Sequence, residues 1–162
     1  MTSIFFDVHK KGDRMKKIAI FQSNLNIGGI QKALLNLLNI IDYQKFEIDL
    51  YLIEKNNILL NELNNNVNVC YFKKNPRFYN FLPFFIQNKL YKNNIKKKYD
   101  LAINYNTHNI DTALKCLNIN ATKKICWIHS NLHAMKNGSI KSSLKFFFAK
   151  EKNKYFDEIV YF

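Results

Sequence analysis

The chain has 162 residues, 48% of them hydrophobic and 15% aromatic, with 25 basic against 12 acidic side chains and a net charge of +13. That much apolar surface offsets chain entropy and excludes a disordered chain, and the length suits one domain of ordinary size. Three cysteines without a CxxC pair exclude a disulfide scaffold and a zinc site, and two prolines with four glycines leave little room for a loop-rich all-β fold.

Residues 1–14 carry neither the apolar core nor the small-residue cleavage site of a signal peptide. They are expected to be translated leader, because Met15 opens a run, MKKIAIF, that reads as a natural start. The domain is then expected over residues 15–162. Residues 17–21 form a short apolar run bounded by polar residues, a predicted buried strand. After the loop QSNLNIGG, the residues Ile30, Ala33, Leu34, Leu37, Leu38 and Ile41 recur with helical spacing as one apolar stripe.

Residues 46–53 (FEIDLYLI) predict a second strand, 57–63 a short helix, and 67–72 (VNVCYF) a third strand. A long helix is predicted over 78–95, with Pro83 in its first turn, where proline is tolerated. Strands at 100–105 and 124–128 flank a helix at 110–117, a basic helix is predicted over 139–152, and a sixth strand starts at Glu158. The longest apolar stretch about Phe84 is FLPFFI, far short of the ~18 residues that cross a bilayer. Strands alternating with helices predict βαβ units: an α/β, Rossmann-like, doubly wound and mostly parallel sheet with helices on both faces.

Ligands of such sheets bind beyond the carboxyl ends of the strands, which directs attention to 24–29, 105–108 and 129–131. Gly28-Gly29 lies between the first strand and first helix. Either the glycines let backbone N–H groups approach a phosphate, or they serve a tight turn that needs positive φ. His129 follows an apolar strand, where an imidazole could meet a sugar hydroxyl or simply hydrogen-bond a loop. His108 and His133 are weaker candidates. GxGxxG, GxxxxGK[ST], HExxH, GxSxG, DxD and paired-carboxylate spacings are all missing from the sequence, so no metal site is expected. The three cysteines are expected to be small core residues.

Two blocks, KKIAIFQSNLNIGGIQKALLNLLNIID and YDLAINYNTHNIDTALKCLNINATKKICWIHSNLH, together resemble retaining GT-B glycosyltransferases of the large bacterial family (glycosyltransferase group 1, or family 4-like) that builds capsule, lipopolysaccharide and other surface glycans. The likeness spans residues 15–162 and lies in the strand–GG–helix opening and the later W-I-H-S ending. Gln31-Lys32 departs from it, since many members carry Glu-Arg there, and lysine lacks the planar fork of arginine. The resemblance implies the N-terminal, acceptor-binding domain of a two-domain enzyme whose donor-binding domain this chain lacks, so that the chain alone would be inactive. It further implies a nucleotide-sugar as co-substrate, no other cofactor, and a glycan or lipid-linked acceptor. Gly28 and Gly29 would face the donor diphosphate, His129 would lie near the transferred sugar as the catalytic position, and Tyr105, Asn106 and Ser130 would line the acceptor pocket.

The positive charge is concentrated. Lys73, Lys74, Arg77, Lys89, Lys92, Lys96, Lys97 and Lys98 fall in one stretch without an acid, interleaved with Phe78, Tyr79, Phe81, Phe84, Phe85 and Tyr91. Rings beside lysines suit an interfacial anchor on anionic lipid. The expectation is a cytoplasmic protein held peripherally on the inner face of the membrane, the rings otherwise serving the sheet and the lysines solvating the exterior. The alternative function is a non-catalytic basic module for nucleic acid or an anionic surface, although no nucleic-acid-binding motif or Arg-rich tract supports nucleic acid as the partner.

Overall fold

The structure is a computed structural model that describes residues 14–75, 82–91, 94–106, 109–129 and 152–161. In chain order it contains β1 (Lys16–Gln22), α1 (Gly29–Ile40), β2 (Phe46–Leu52), a 3-10 turn (Ile58–Glu62), β3 (Asn68–Tyr71), α2 (Phe84–Leu90), β4 (Tyr99–Asn104), α3 (Ile110–Asn118), β5 (Ala121–Ile128) and β6 (Glu158–Tyr161). The six strands make one sheet in the order β3-β2-β1-β4-β5-β6, and every pairing is parallel. The α/β, Rossmann-like architecture expected from the sequence is therefore present, with strands close to their predicted places.

Register explains the two-sided core. Ile18 lies opposite Ile48 and Leu101, and Ile20 opposite Leu50 and Ile103, so these side chains share one face. Leu34, Leu35 and Leu38 of α1 cover that face. On the other face Ala19 and Phe21 align with Ala102 and Tyr51, under Ala113, Leu114 and Cys116 of α3 and Phe84 of α2. Buried on both sides, the central strands read as nearly continuous apolar runs. Cys116 and Cys126 are buried and Cys70 half-buried, all as free thiols.

α3 starts cleanly because Asn109 caps it, its side chain accepting the Thr112 N–H at 3.1 Å, with Asp111 in the first turn. Its Lys115 lies over the rings of Phe72 and Tyr91, at 5.9 and 5.8 Å, and burial pulls this amine below the ordinary lysine value.

Two predicted boundaries shift. The long helix over 78–95 is a helix only from Phe84 to Leu90 within the described residues, with Pro83 as its extended N-cap. Tyr91 leaves it with extended backbone, and beyond it Ile95 packs on the sheet while Lys97 is drawn to two carboxylates of β2. Those contacts favour an extended approach to β4 over another helical turn. Arg14, assigned to the leader, clasps Asp100 with Nη1 and Nη2 at 3.2 and 2.5 Å, on the exposed surface. The rest of that leader lies outside the described residues, as does the helix predicted over 139–152 apart from Lys152.

Candidate functional site

In a sheet of this order the strand order reverses between β1 and β4, and the crevice outside their carboxyl ends is where such folds hold ligands. β1 ends at Gln22, and Ser23 lies just past it. On β4's side, Asn106 donates from Nδ2 to Ser23 Oγ at 2.6 Å, and the Tyr105 N–H reaches the Phe21 carbonyl at 3.0 Å. β5 delivers His129, whose ring centre lies 4.3 Å from that of Tyr105. Trp127, two residues earlier on the same face, is parallel to His129 within 1° at 6.0 Å and lies 5.3 Å from Tyr105. Tyr105, Asn106 and His129 thus gather at the ends of neighbouring strands, as the sequence led one to expect.

Their roles differ in kind. Tyr105 is only 3% exposed and belongs to the core on the α1 face, where burial pushes its hydroxyl up to about 12. It supports the His129 ring and offers a ligand no open face of its own. Burial also pulls the His129 imidazole below its usual value, which keeps the ring neutral near pH 7, able to donate at one nitrogen and accept at the other. Ser130 and His108, expected beside them, lie outside the described residues, as does His133.

Gly28 is the N-cap of α1. Among the described residues no side chain caps the helix, and its first turn holds no acid to offset the positive end of the helix. Neither glycine needs a positive φ: Gly28 is fully extended at φ −180°, and no left-handed angle occurs at Gly29. The tight-turn reading of the pair finds no support in this backbone. A Cβ on Gly28 would meet only the flexible end of Gln31, at 2.4 Å from Oε1, and one on Gly29 would meet nothing within 4 Å. The fold therefore leaves Gly29 free to change. Gly29→Ala should leave stability unchanged or raise it by about 0.5 kcal/mol, through the lower entropy of the unfolded chain. Urea melts check this, and a loss above about 1 kcal/mol would mean that the backbone there is under a constraint.

Sequence reasoning missed what holds the loop. The amides of Asn24 and Asn26 each donate to Glu54, at 3.3 Å, and Gln31 Nε2 donates to Asn24 Oδ1 at 3.4 Å. Asn57 accepts the Leu25 N–H at 2.6 Å and donates to the Glu54 carbonyl at 2.7 Å. The available signal was an acid two residues beyond the end of a parallel strand, where it would otherwise pass as a solvated side chain.

The basic residues do not form one surface class. Lys73, Lys74, Lys89, Lys96 and Lys98 are exposed. Lys97 is not a free surface cation: its Nζ lies 2.6 Å from Asp49 and 2.8 Å from Glu47. Arg77 and Lys92 lie outside the described residues. Among the described residues no group of three His, Cys, Asp or Glu could hold a metal ion, and no helix is long and apolar enough to cross a membrane. No protein-family model matches this chain, and no curated protein matches it.

Proposed function

We propose that the chain is the acceptor-binding part of a glycosyltransferase that moves a sugar from a nucleotide-sugar to a glycan or lipid-linked acceptor, in the synthesis of surface polysaccharide. The observation that carries this reading is the convergence at one sheet edge of an uncapped helix start at Gly28-Gly29, the Asn106–Ser23 pair and the His129 ring. Backbone N–H groups at Gly29 would lie against the donor diphosphate without a side chain between. His129, neutral and backed by Tyr105 and Trp127, would hydrogen-bond the sugar being transferred. Asn106 would offer its amide to an acceptor hydroxyl, with Ser130, next to His129 in sequence, as a further acceptor contact.

The same reading places the protein peripherally on the cytoplasmic face of a membrane, where lipid-linked acceptors would be met. Phe85 and Leu90 of α2 are 54% and 50% exposed, and Lys89 lies between them in sequence. An exposed ring and an exposed leucine beside an ammonium group suit a headgroup boundary, each lysine contributing about 1 kcal/mol close to anionic lipid.

Sedimentation with vesicles tests both parts. Binding should require anionic lipid, fall with salt, and tighten about tenfold when the vesicles carry a lipid-linked oligosaccharide, about 1.4 kcal/mol. His129→Ala should remove only the oligosaccharide increment, and Lys96→Glu with Lys98→Glu only the lipid-dependent part. Equal binding with and without oligosaccharide would overturn the acceptor-binding reading. Equal binding to neutral and anionic vesicles would overturn the peripheral placement.

A further inference from the structure

Glu54 has capacity beyond anchoring its loop. β2 ends at Leu52, and two residues later the Glu54 N–H donates to the Ser23 carbonyl at 3.0 Å, which holds the residue against the loop that follows β1. Its carboxylate accepts one hydrogen bond at each oxygen, from Asn24 and Asn26, both 3.3 Å long. Charge-assisted bonds usually lie near 2.7–2.9 Å, so both are weak and exchangeable, and a carboxylate accepts about four bonds in all. No described cation pairs with Glu54, although the chain carries a net charge of +13.

The neighbours define what such a carboxylate can take. An anion would be repelled. A divalent cation would need several oxygens, whereas Asn24 and Asn26 turn their N–H₂ groups toward the acid. Hydroxyl groups fit both requirements, because they donate to the carboxylate and accept from the amides. Position agrees with chemistry: Glu54 follows the carboxyl end of β2, on the side where open parallel sheets hold their ligands. Asn24 also bonds Gln31, whose side chain lies against Gly28, so a single amide separates Glu54 from the start of α1.

We propose that Glu54, with the amides of Asn24 and Asn26, forms a subsite for a vicinal diol. The diol belongs either to the ribose of a nucleotide or to a sugar ring. That choice of ligands rests on the glycosyltransferase reading, while the subsite itself rests on the carboxylate and its amides. A ligand seated there would run from the end of β2, past the start of α1, toward Asn106 and His129.

Calorimetric titration of the chain with three probes tests it: uridine diphosphate, its 2′,3′-dideoxy analogue, and maltotriose. The wild type should bind uridine diphosphate at least about tenfold more tightly than the dideoxy compound if the diol is ribose, or bind maltotriose if it is a sugar ring. Glu54→Gln keeps the side-chain volume and should abolish that preference while the protein still melts as a folded domain. Asn26→Ala should weaken it. Retention of the full preference in Glu54→Gln, equal affinity for the two nucleotides without maltotriose binding, or no binding of any probe would each overturn the subsite. A ribose-only preference would keep the subsite and remove the acceptor sugar from it, and the vesicle experiment decides the acceptor reading separately.

Discussion

Lys97→Met is expected to destabilise the domain by about 2 kcal/mol, between the scales for exposed and fully buried ion pairs, because Asp49 is buried while the Lys97 side chain is 31% exposed. Asp49 is 2% exposed in the middle of β2, and its carboxylate is surrounded by donors from three elements. Lys97 Nζ lies 2.6 Å away, Asn68 Nδ2 3.1 Å, and the Tyr99 hydroxyl donates to the same oxygen as Lys97. Tyr51 and Tyr99 share a further hydroxyl bond at 2.8 Å. Without the ammonium the carboxylate keeps two donors and loses its counter-charge. Asp49→Asn in the Lys97→Met background should recover much of the loss, since no uncompensated charge then remains. The comparison is a double-mutant cycle by urea denaturation, and simple additivity would mean that the pair is uncoupled.

The pH dependence of this effect has a definite sign. Burial pushes the Asp49 carboxyl up, but the bonds from Lys97, Tyr99 and Asn68 outweigh it and hold the group below the ordinary range. Its contribution is therefore present above the unfolded value near ~4 and is lost as pH falls through the folded value. For Lys97, burial pulls the amine down, while Asp49 and Glu47 more than offset that and raise it. Its contribution is complete below ~10.4 and is lost as pH rises through the raised value. The gap between wild type and Lys97→Met should be widest between these limits and narrow toward both. A gap that did not narrow in acid would show that Asp49 is not the group involved.

Lys97 also shows where sequence reading stops. Counted by charge alone it belongs with Lys96 and Lys98, and nothing local distinguishes it from them. Its partners lie about fifty residues away on β2, where Asp49 passes as the polar member of an alternating strand. Some of the signal was present, since Ile95, Lys97 and Tyr99 recur with period two, which opposes the helix extrapolated to residue 95. The strands were legible because apolar runs such as IAIF and LAI are bounded by polar residues and need no distant partner to be recognised. The same regularity located Tyr105, Asn106 and His129 at strand ends and Gly28 at the start of the first helix. Glu54 and Trp127 escaped because their roles come from contacts, Glu54 with two asparagines of another loop and Trp127 with rings just past the ends of β4 and β5.

Phe21→Ala should lower stability by about 3–5 kcal/mol, the range for deleting a fully enclosed aromatic ring. Phe21 is completely buried near the end of β1, stacked on Tyr51 at 4.9 Å with an 11° tilt and edge-on to Phe72 at 6.3 Å. Its removal takes away the apolar area, the ring pairing and the filling of a site that parallel strands on both sides keep from collapsing. For a chain of this size each kcal/mol shifts the melting temperature by roughly 2–4 °C, so a fall of about 6–20 °C is expected. Phe21→Leu restores most of the volume and should cost less than half as much. The backbone of the same residue accepts the Tyr105 N–H, and the next residues lead to Ser23 and its bond from Asn106. A void there therefore loosens the strand ends that hold the site as well as the core below them. Hydrogen exchange should quicken at Tyr105 and at Ile53, whose N–H donates to the Ser23 carbonyl at 3.1 Å, before it quickens at Ile18 in the middle of the sheet. Uniform acceleration across β1 would instead mean that the strand ends and the centre of the sheet open as one unit.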